Sequence, residues 1–153
     1  MPGRLVRSDF DLSSGASHPE LDLYGWYGAE PEGRWSRAEW AEAILAAPPG
    51  TGAEVLVEIR GRVFGTAVGG RAWVRLALDD GPGSEIVFEN DDFATGRAVL
   101  RYEPCADRPR NLRLSLVRLD PVSPAGAGQG GDERKIGVLV RSIGFQWSVP
   151  DSD

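Results

Sequence analysis

From residue 54 onward, hydrophobic and polar positions alternate with a period of two. That is the signature of strands with one face buried. Glu54 to Arg62 sets Val55, Val57 and Ile59 against Glu54, Leu56, Glu58 and Arg60. Arg71 to Leu78 sets Ala72, Val74, Leu76 and Leu78 against Trp73, Arg75 and Ala77. Glu85 to Glu89 and Ala98 to Tyr102 read as shorter strands. Leu112, Leu114, Leu116 and Leu119 line one face of the next, with Arg113, Ser115 and Val117 opposite. In Gly137 to Trp147 the inner set is Val138, Val140, Ile143, Phe145 and Trp147. Its change of parity asks for a bulge, expected near Gly144. Turn signals separate these runs: Pro48 to Gly52, Gly69-Gly70, Asp79 to Gly83, and Asn90-Asp91-Asp92. The pattern predicts an all-β fold, an antiparallel jelly-roll-like β-sandwich of about eight strands.

The first third of the chain is harder to read. Arg37 to Ala47 supports two assignments. Trp40 and Ile44 stand at helical spacing among Ala, Glu and Leu, which are strong helix formers. This allows one short helix at 37–46. The same residues also alternate as a strand would. Residues 1–20 are polar and read as a flexible leader, although Leu5, Val6, Phe10 and Leu12 offer one strand within it. The expected organisation is that leader, a single sandwich domain at 21–148 and a tail at 149–153.

Charge and composition narrow the function. The chain has 153 residues and a net charge of −6. A negative balance argues against nucleic acid or an anionic membrane surface as partner. Cys105 is the single cysteine, so no intrachain disulfide forms. His18 is the single histidine, a poor basis for a zinc site or a Ser-His-Asp triad. No signal peptide and no apolar run of spanning length is expected, which points to the cytoplasm. No complete catalytic constellation stands out. The expectation is a protein that is not an enzyme, with no metal and no cofactor.

Candidate chemistry gathers in Tyr24 to Ser36, a mixture of aromatic residues, carboxylates, Arg and Gly that suits a tight loop feeding an edge strand. Trp26, Tyr27 and Trp35 offer flat rings for the C–H face of a sugar, and Glu30 and Arg34 offer partners for its hydroxyls. The competing assignment makes Trp26 and Trp35 core residues that lock the sheets together. Asp132 and Arg134, just ahead of a strand, form a second polar group, either part of that site or a loop clamp. The acidic turns at Asp79-Asp80 and Glu89 to Asp92 match no calcium-loop spacing and read as solvated turns.

Three segments taken in order carry a resemblance: Gly25-Trp-Tyr with Glu30 and Gly33-Arg-Trp-Ser36, then Asp120-Pro-Val-Ser-Pro124, then Asp132-Glu-Arg-Lys-Ile-Gly-Val138 and its continuation to Ile143. The chain resembles, over roughly Leu23 to Phe145, the β-sandwich accessory domains of bacterial glycosyltransferases and other enzymes of cell-surface polysaccharide synthesis. Trp26, Glu30, Trp35, Asp132, Arg134 and Gly137 match that pattern. The resemblance implies a non-catalytic carbohydrate-binding or accessory module, with a glycan or a glycosyltransferase as partner. The alternative is a structural interaction module docking such a partner, with the polar–aromatic clusters as its lock.

Overall fold

In the computed structural model the described residues are 4–15, 18–37, 40–47, 53–64, 66, 71–103, 110–119 and 136–149. They form strands β1 (Arg4–Asp11), β2 (Asp22–Tyr24), β3 (Trp26–Glu30), β4 (Gly33–Arg37), β5 (Ala41–Ala47), β6 (Glu54–Val63), β7 (Ala72–Leu78), β8 (Ser84–Phe88), β9 (Ala94–Arg101), β10 (Arg110–Arg118) and β11 (Ile136–Val149). Two antiparallel sheets make a jelly-roll-like sandwich. One runs β3-β4-β11-β6-β9, with β1 also pairing β11; the other runs β2-β5-β10-β7-β8.

The expected inner faces point inward. Val55, Val57 and Ile59 of β6 meet Ala72, Val74, Leu76 and Leu78 of β7 and Leu112, Leu114 and Leu116 of β10 in one core. Phe145 and Trp147, two apart on β11, stack with centroids 5.8 Å apart, and Phe10 of β1 packs edge-on to Phe145. Burying each such side chain contributes roughly 1.5–3 kcal/mol.

Four points of the sequence reading are altered or made definite. The described residues hold eleven strands, not about eight. Of the two assignments for Arg37 to Ala47, Ala41–Ala47 takes the strand, between β2 and β10. Its Ala41, Ala43, Leu45 and Ala47 are buried, the period of two that a strand with one face on the core requires. The leader at 1–20 contains β1, whose Arg4 to Asp11 pair with Val149 to Ser142. The bulge in β11 falls between Val140 and Ser142, earlier than Gly144. One further side chain differs: Leu119 lies past the end of β10 and is exposed.

β11 is the spine of the larger sheet. Its first half pairs β4, its second half pairs β1, and β6 runs along its other side. Two chain segments thus share one edge of a single strand, and a discontinuity lies where β4 hands over to β1. The functional candidates collect there.

Candidate functional site

The larger sheet carries a second apolar cluster on its outer face. Trp35 of β4 and Leu139 of β11 are cross-strand partners. They pack with Ile136, and Tyr27, Phe64 and Phe93 close round them. Ile136 and Leu139 are three apart and would face opposite ways in a regular strand. A register shift between them against β4 lets both join. Guanidinium groups cover the margin. Arg37 lies 5.4 Å from the Tyr27 ring centre, and Arg60 and Arg62 lie 5.9 and 5.8 Å from that of Phe93.

Beyond this cluster the face sinks into a groove of about 650 Å³. Phe93, Arg60 and Glu32 form one wall; Asp9, Phe10, Asp11 and His18 form the other; Arg141 and Ser142 of β11 line it as well. Register explains the gathering, because Ser142 stands opposite Asp11 on one side and Arg60 on the other. The bulge beside Arg141 breaks the regular ladder at this point.

The carboxylate wall is held in place. Asp11 accepts the Ser13 N–H at 2.8 Å and the Ser13 hydroxyl at 2.6 Å. The hydroxyl bond above all holds its pKa below the ordinary aspartate value. His18 Nε2 accepts the Asp11 N–H at 3.0 Å, which puts the neutral ring's proton on Nδ1, 3.6 Å from Glu20. The imidazole also packs edge-on against Phe10. Arg7 Nε donates to both carboxylate oxygens of Asp9, at 3.0 and 2.9 Å, and Arg7 Nη1 donates to Glu58 at 2.6 Å. Arg97 reaches Glu58 from the far side at 3.3 Å. The Arg7 bond lowers the Glu58 pKa, and bonds to Asp9 and Glu58 raise that of Arg7. Arg7 and Asp9 lie over Gly144, where a Cβ would displace the ends of both side chains.

A smaller hollow of about 280 Å³ shares Asp11 and His18 with the groove and adds Ser13, Leu21, Asp22 and Arg34. Arg34 Nε is buried with no hydrogen-bond partner among the described residues.

The aromatic stretch divides between the two sides of its sheet. Tyr27 and Trp35 join the outer cluster, where Trp35 is only 7% exposed and Tyr27 is half-buried. Trp35 therefore supports its neighbours and shows no ring face. Trp26 packs against the main core, and its Nε1 donates to the Glu42 carbonyl of the opposite sheet at 2.9 Å. That contact ties the two sheets together at this edge. Glu30 is exposed at the end of β3, and its carbonyl accepts the Ser14 N–H. Arg34 turns into the smaller hollow. Asp132 and Arg134 lie outside the described residues, as do Asp120 to Pro124.

Asp9, Asp11, His18, Arg60, Phe93 and Arg141 were not anticipated. They come from five separate places in the chain and form no local cluster. The available hint was the outward row Arg60, Arg62, Phe64, which puts cations and an aromatic ring where plain solvation would suffice. The acidic turns serve as ties. Asp79 accepts the Arg113 N–H at 2.9 Å, and Asp91 accepts the Thr66 N–H and hydroxyl. Among the described residues no group of three or more His, Cys, Asp or Glu gathers to hold a metal, and no helix is long and apolar enough to cross a membrane.

No protein-family model matches the sequence, and no curated protein sequence matches it. Solved structures do match the fold. A family 35 carbohydrate binding module from Clostridium thermocellum superposes with a TM-score of 0.53 at 6% identity, over 92% of this chain and 97% of that one. The CBM35 from Cellvibrio japonicus Abf62 gives 0.51 at 11% identity, over 95% and 100%. The mosquito-larvicidal Cry4Aa toxin from Bacillus thuringiensis gives 0.52 at 13% identity, over 96% of this chain and 24% of that one. At these identities the likeness is one of fold: the chain shares a β-sandwich with these domains.

Proposed function

We propose that this domain is a non-catalytic carbohydrate-binding module and that its glycan lies in the groove between β1 and β6. The observation that carries the reading is the groove's chemistry. Two phenyl rings, an imidazole, two guanidinium groups and three carboxylates line one hollow of about 650 Å³. Sugars need that mixture, because they present C–H faces rimmed by hydroxyls that both donate and accept. Phe93 supplies apolar contact. Arg60 and Arg141 donate, and Asp9, Asp11 and Glu32 accept. Because Asp9 and Asp11 are already held by Arg7 and Ser13, little ordering cost falls on binding. Arg34 lines the adjoining smaller hollow, and a longer glycan chain would continue toward it and toward Tyr27 and Glu30. Trp26 and Trp35 act as its frame.

The fold shared with two family 35 carbohydrate-binding modules supports this reading. The resemblance of the Gly25 to Ser36 and Asp132 to Ile143 segments to accessory domains adds a finer one, that the module serves bacterial polysaccharide synthesis beside a glycosyltransferase. Affinity capture with the purified domain tests that part. Recovery of a glycosyltransferase supports it, and recovery of none from cells making capsule counts against it. For the groove, a glycan array followed by titration of the hits is the direct test. Each Arg60→Ala and Phe93→Ala substitution should weaken binding by about tenfold or more, as expected for losing a charge-assisted bond or a stacking face.

A further inference from the structure

The five-stranded sheet has an outward face of its own, on the opposite side of the sandwich from the groove. Alternation turns Trp40 and Glu42 outward while Ala41 and Ala43 are buried. Tyr24 on β2 stands directly across from Glu42. Trp73 projects from β7 on the same face, two residues beyond Arg75, which pairs Val117. Tyr24, Trp40 and Trp73 are 52%, 43% and 39% exposed, while Trp35 and Trp147 are 7% and 0%.

Trp40 is held although it is exposed. Its indole N–H donates to the Glu42 carboxylate at 2.9 Å. Its ring lies on the backbone of Gly25, where a Cβ would fall 2.8 Å from Cε3. The Arg113 guanidinium stands 3.7 Å from the same Glu42 oxygen. A ring of fixed orientation thus has a carboxylate and a cation beside it. The Arg75–Glu85 ion pair occupies the same face near Trp73. Charged pairs therefore interrupt the rings. A protein-docking surface would be centred on a continuous apolar patch depleted of charge. Rings alternating with fixed polar groups complement sugar rings and their hydroxyls instead.

We propose that this face is a second glycan-contacting surface for an extended, uncharged polysaccharide. Tyr24 and Trp40 stack sugar rings, Arg113 and its exposed ion-pair partner Asp80 bind their hydroxyls, Glu42 holds the Trp40 ring in place, and Trp73 receives the same chain further along. With strands ~4.8 Å apart and ~3.4 Å per residue, Trp40 and Trp73 stand ~12 Å apart, a span that a short oligosaccharide covers. The proposal rests on the reading of the domain as a glycan-binding module and adds a site to it. Two surfaces on opposite faces cannot share one short oligosaccharide, but they can join neighbouring chains or raise avidity on one long polymer.

The test uses the full chain and uncharged probes: cellohexaose, xylohexaose, mannohexaose and the neutral fragments of a capsule and O-antigen array. Wild type, a groove variant (Arg60→Ala with Phe93→Ala), Trp40→Ala, Trp73→Ala and the groove variant combined with Trp40→Ala are titrated after circular dichroism shows that each is folded. The groove variant should keep measurable binding, and adding Trp40→Ala should weaken that remainder about tenfold. Trp40→Phe, which keeps a ring, should recover part of it. The second surface is overturned if the groove variant binds nothing while wild type binds. It is also overturned if Trp40→Ala and Trp73→Ala both leave glycan affinity unchanged, including the case where they alter only capture of a protein partner. In each of these cases the groove stands. Wild type binding no probe overturns both readings.

Discussion

Gly25 has φ of +80°, and a Cβ there would fall 2.6 Å from the Trp40 carbonyl oxygen. Both the backbone angle and the space call for glycine. Gly25→Ala should cost roughly 1–3 kcal/mol, read by urea unfolding, and should loosen the Trp40 ring that rests on it. Ser36 makes a different demand. It is 2% exposed, and its Oγ accepts the N–H of Val138 at 2.9 Å, beside the register shift of β11. Ser36→Ala leaves that buried N–H without a partner and should cost about 1–3 kcal/mol by the same assay. A loss much below this would mean that the shifted segment relaxes to find another acceptor. Neither demand can be read from sequence, because each depends on a segment remote in the chain. Gly25 and Ser36 stood out as motif residues, but nothing local said what they touch.

Among the elements, β5 shows where local propensity misleads. Its Ala and Glu residues favour helix, and Trp40 with Ile44 even keep helical spacing. Pairing on both sides decides the matter, with β2 along one edge and β10 along the other. Ala43 is completely buried in the core, so Ala43→Leu should overpack it and cost roughly 1–3 kcal/mol, measured by thermal or urea unfolding. The strands after residue 54 were legible because each buries one face and keeps strict alternation. β2, β3 and β4 are three to five residues long, too short for a period to show. β1 carries its pattern weakly, since Ser8 takes an inward position. The cross-strand ladder Asp9–Arg7–Glu58–Arg97 also belongs to this scale. Glu58 and Asp11 have pKa values lowered on folding, so each contributes stability that is present above its unfolded value, near 4.5 and 3.8, and is lost as pH falls through the lower folded value. Stability should therefore fall on acidification below about pH 4.5. Glu58→Gln should lower stability at pH 7 and flatten that acid limb in urea titrations between pH 7 and 2. An unchanged limb would show that the ladder does not contribute.

At the scale of the whole molecule, the groove is a product of topology. β4 and β1 share one edge of β11, and the bulge at Arg141 lies where they meet. Residues 9, 11, 18, 32, 60, 93 and 141 reach one hollow only because of that arrangement. The sandwich was legible from alternation alone. The aromatic stretch was legible as unusual, yet its roles divide among core, outer cluster and hollow edge according to strand parity, which a segment with two register irregularities does not reveal. The central claim is that the groove holds a glycan. The most direct measurement is titration of a glycan-array hit into wild type, Arg60→Ala and Phe93→Ala, with folding checked by circular dichroism. The account predicts saturable binding that falls about tenfold or more in each variant while the fold is kept. Binding that is unchanged in both variants, or no binding to any glycan by wild type, would contradict it.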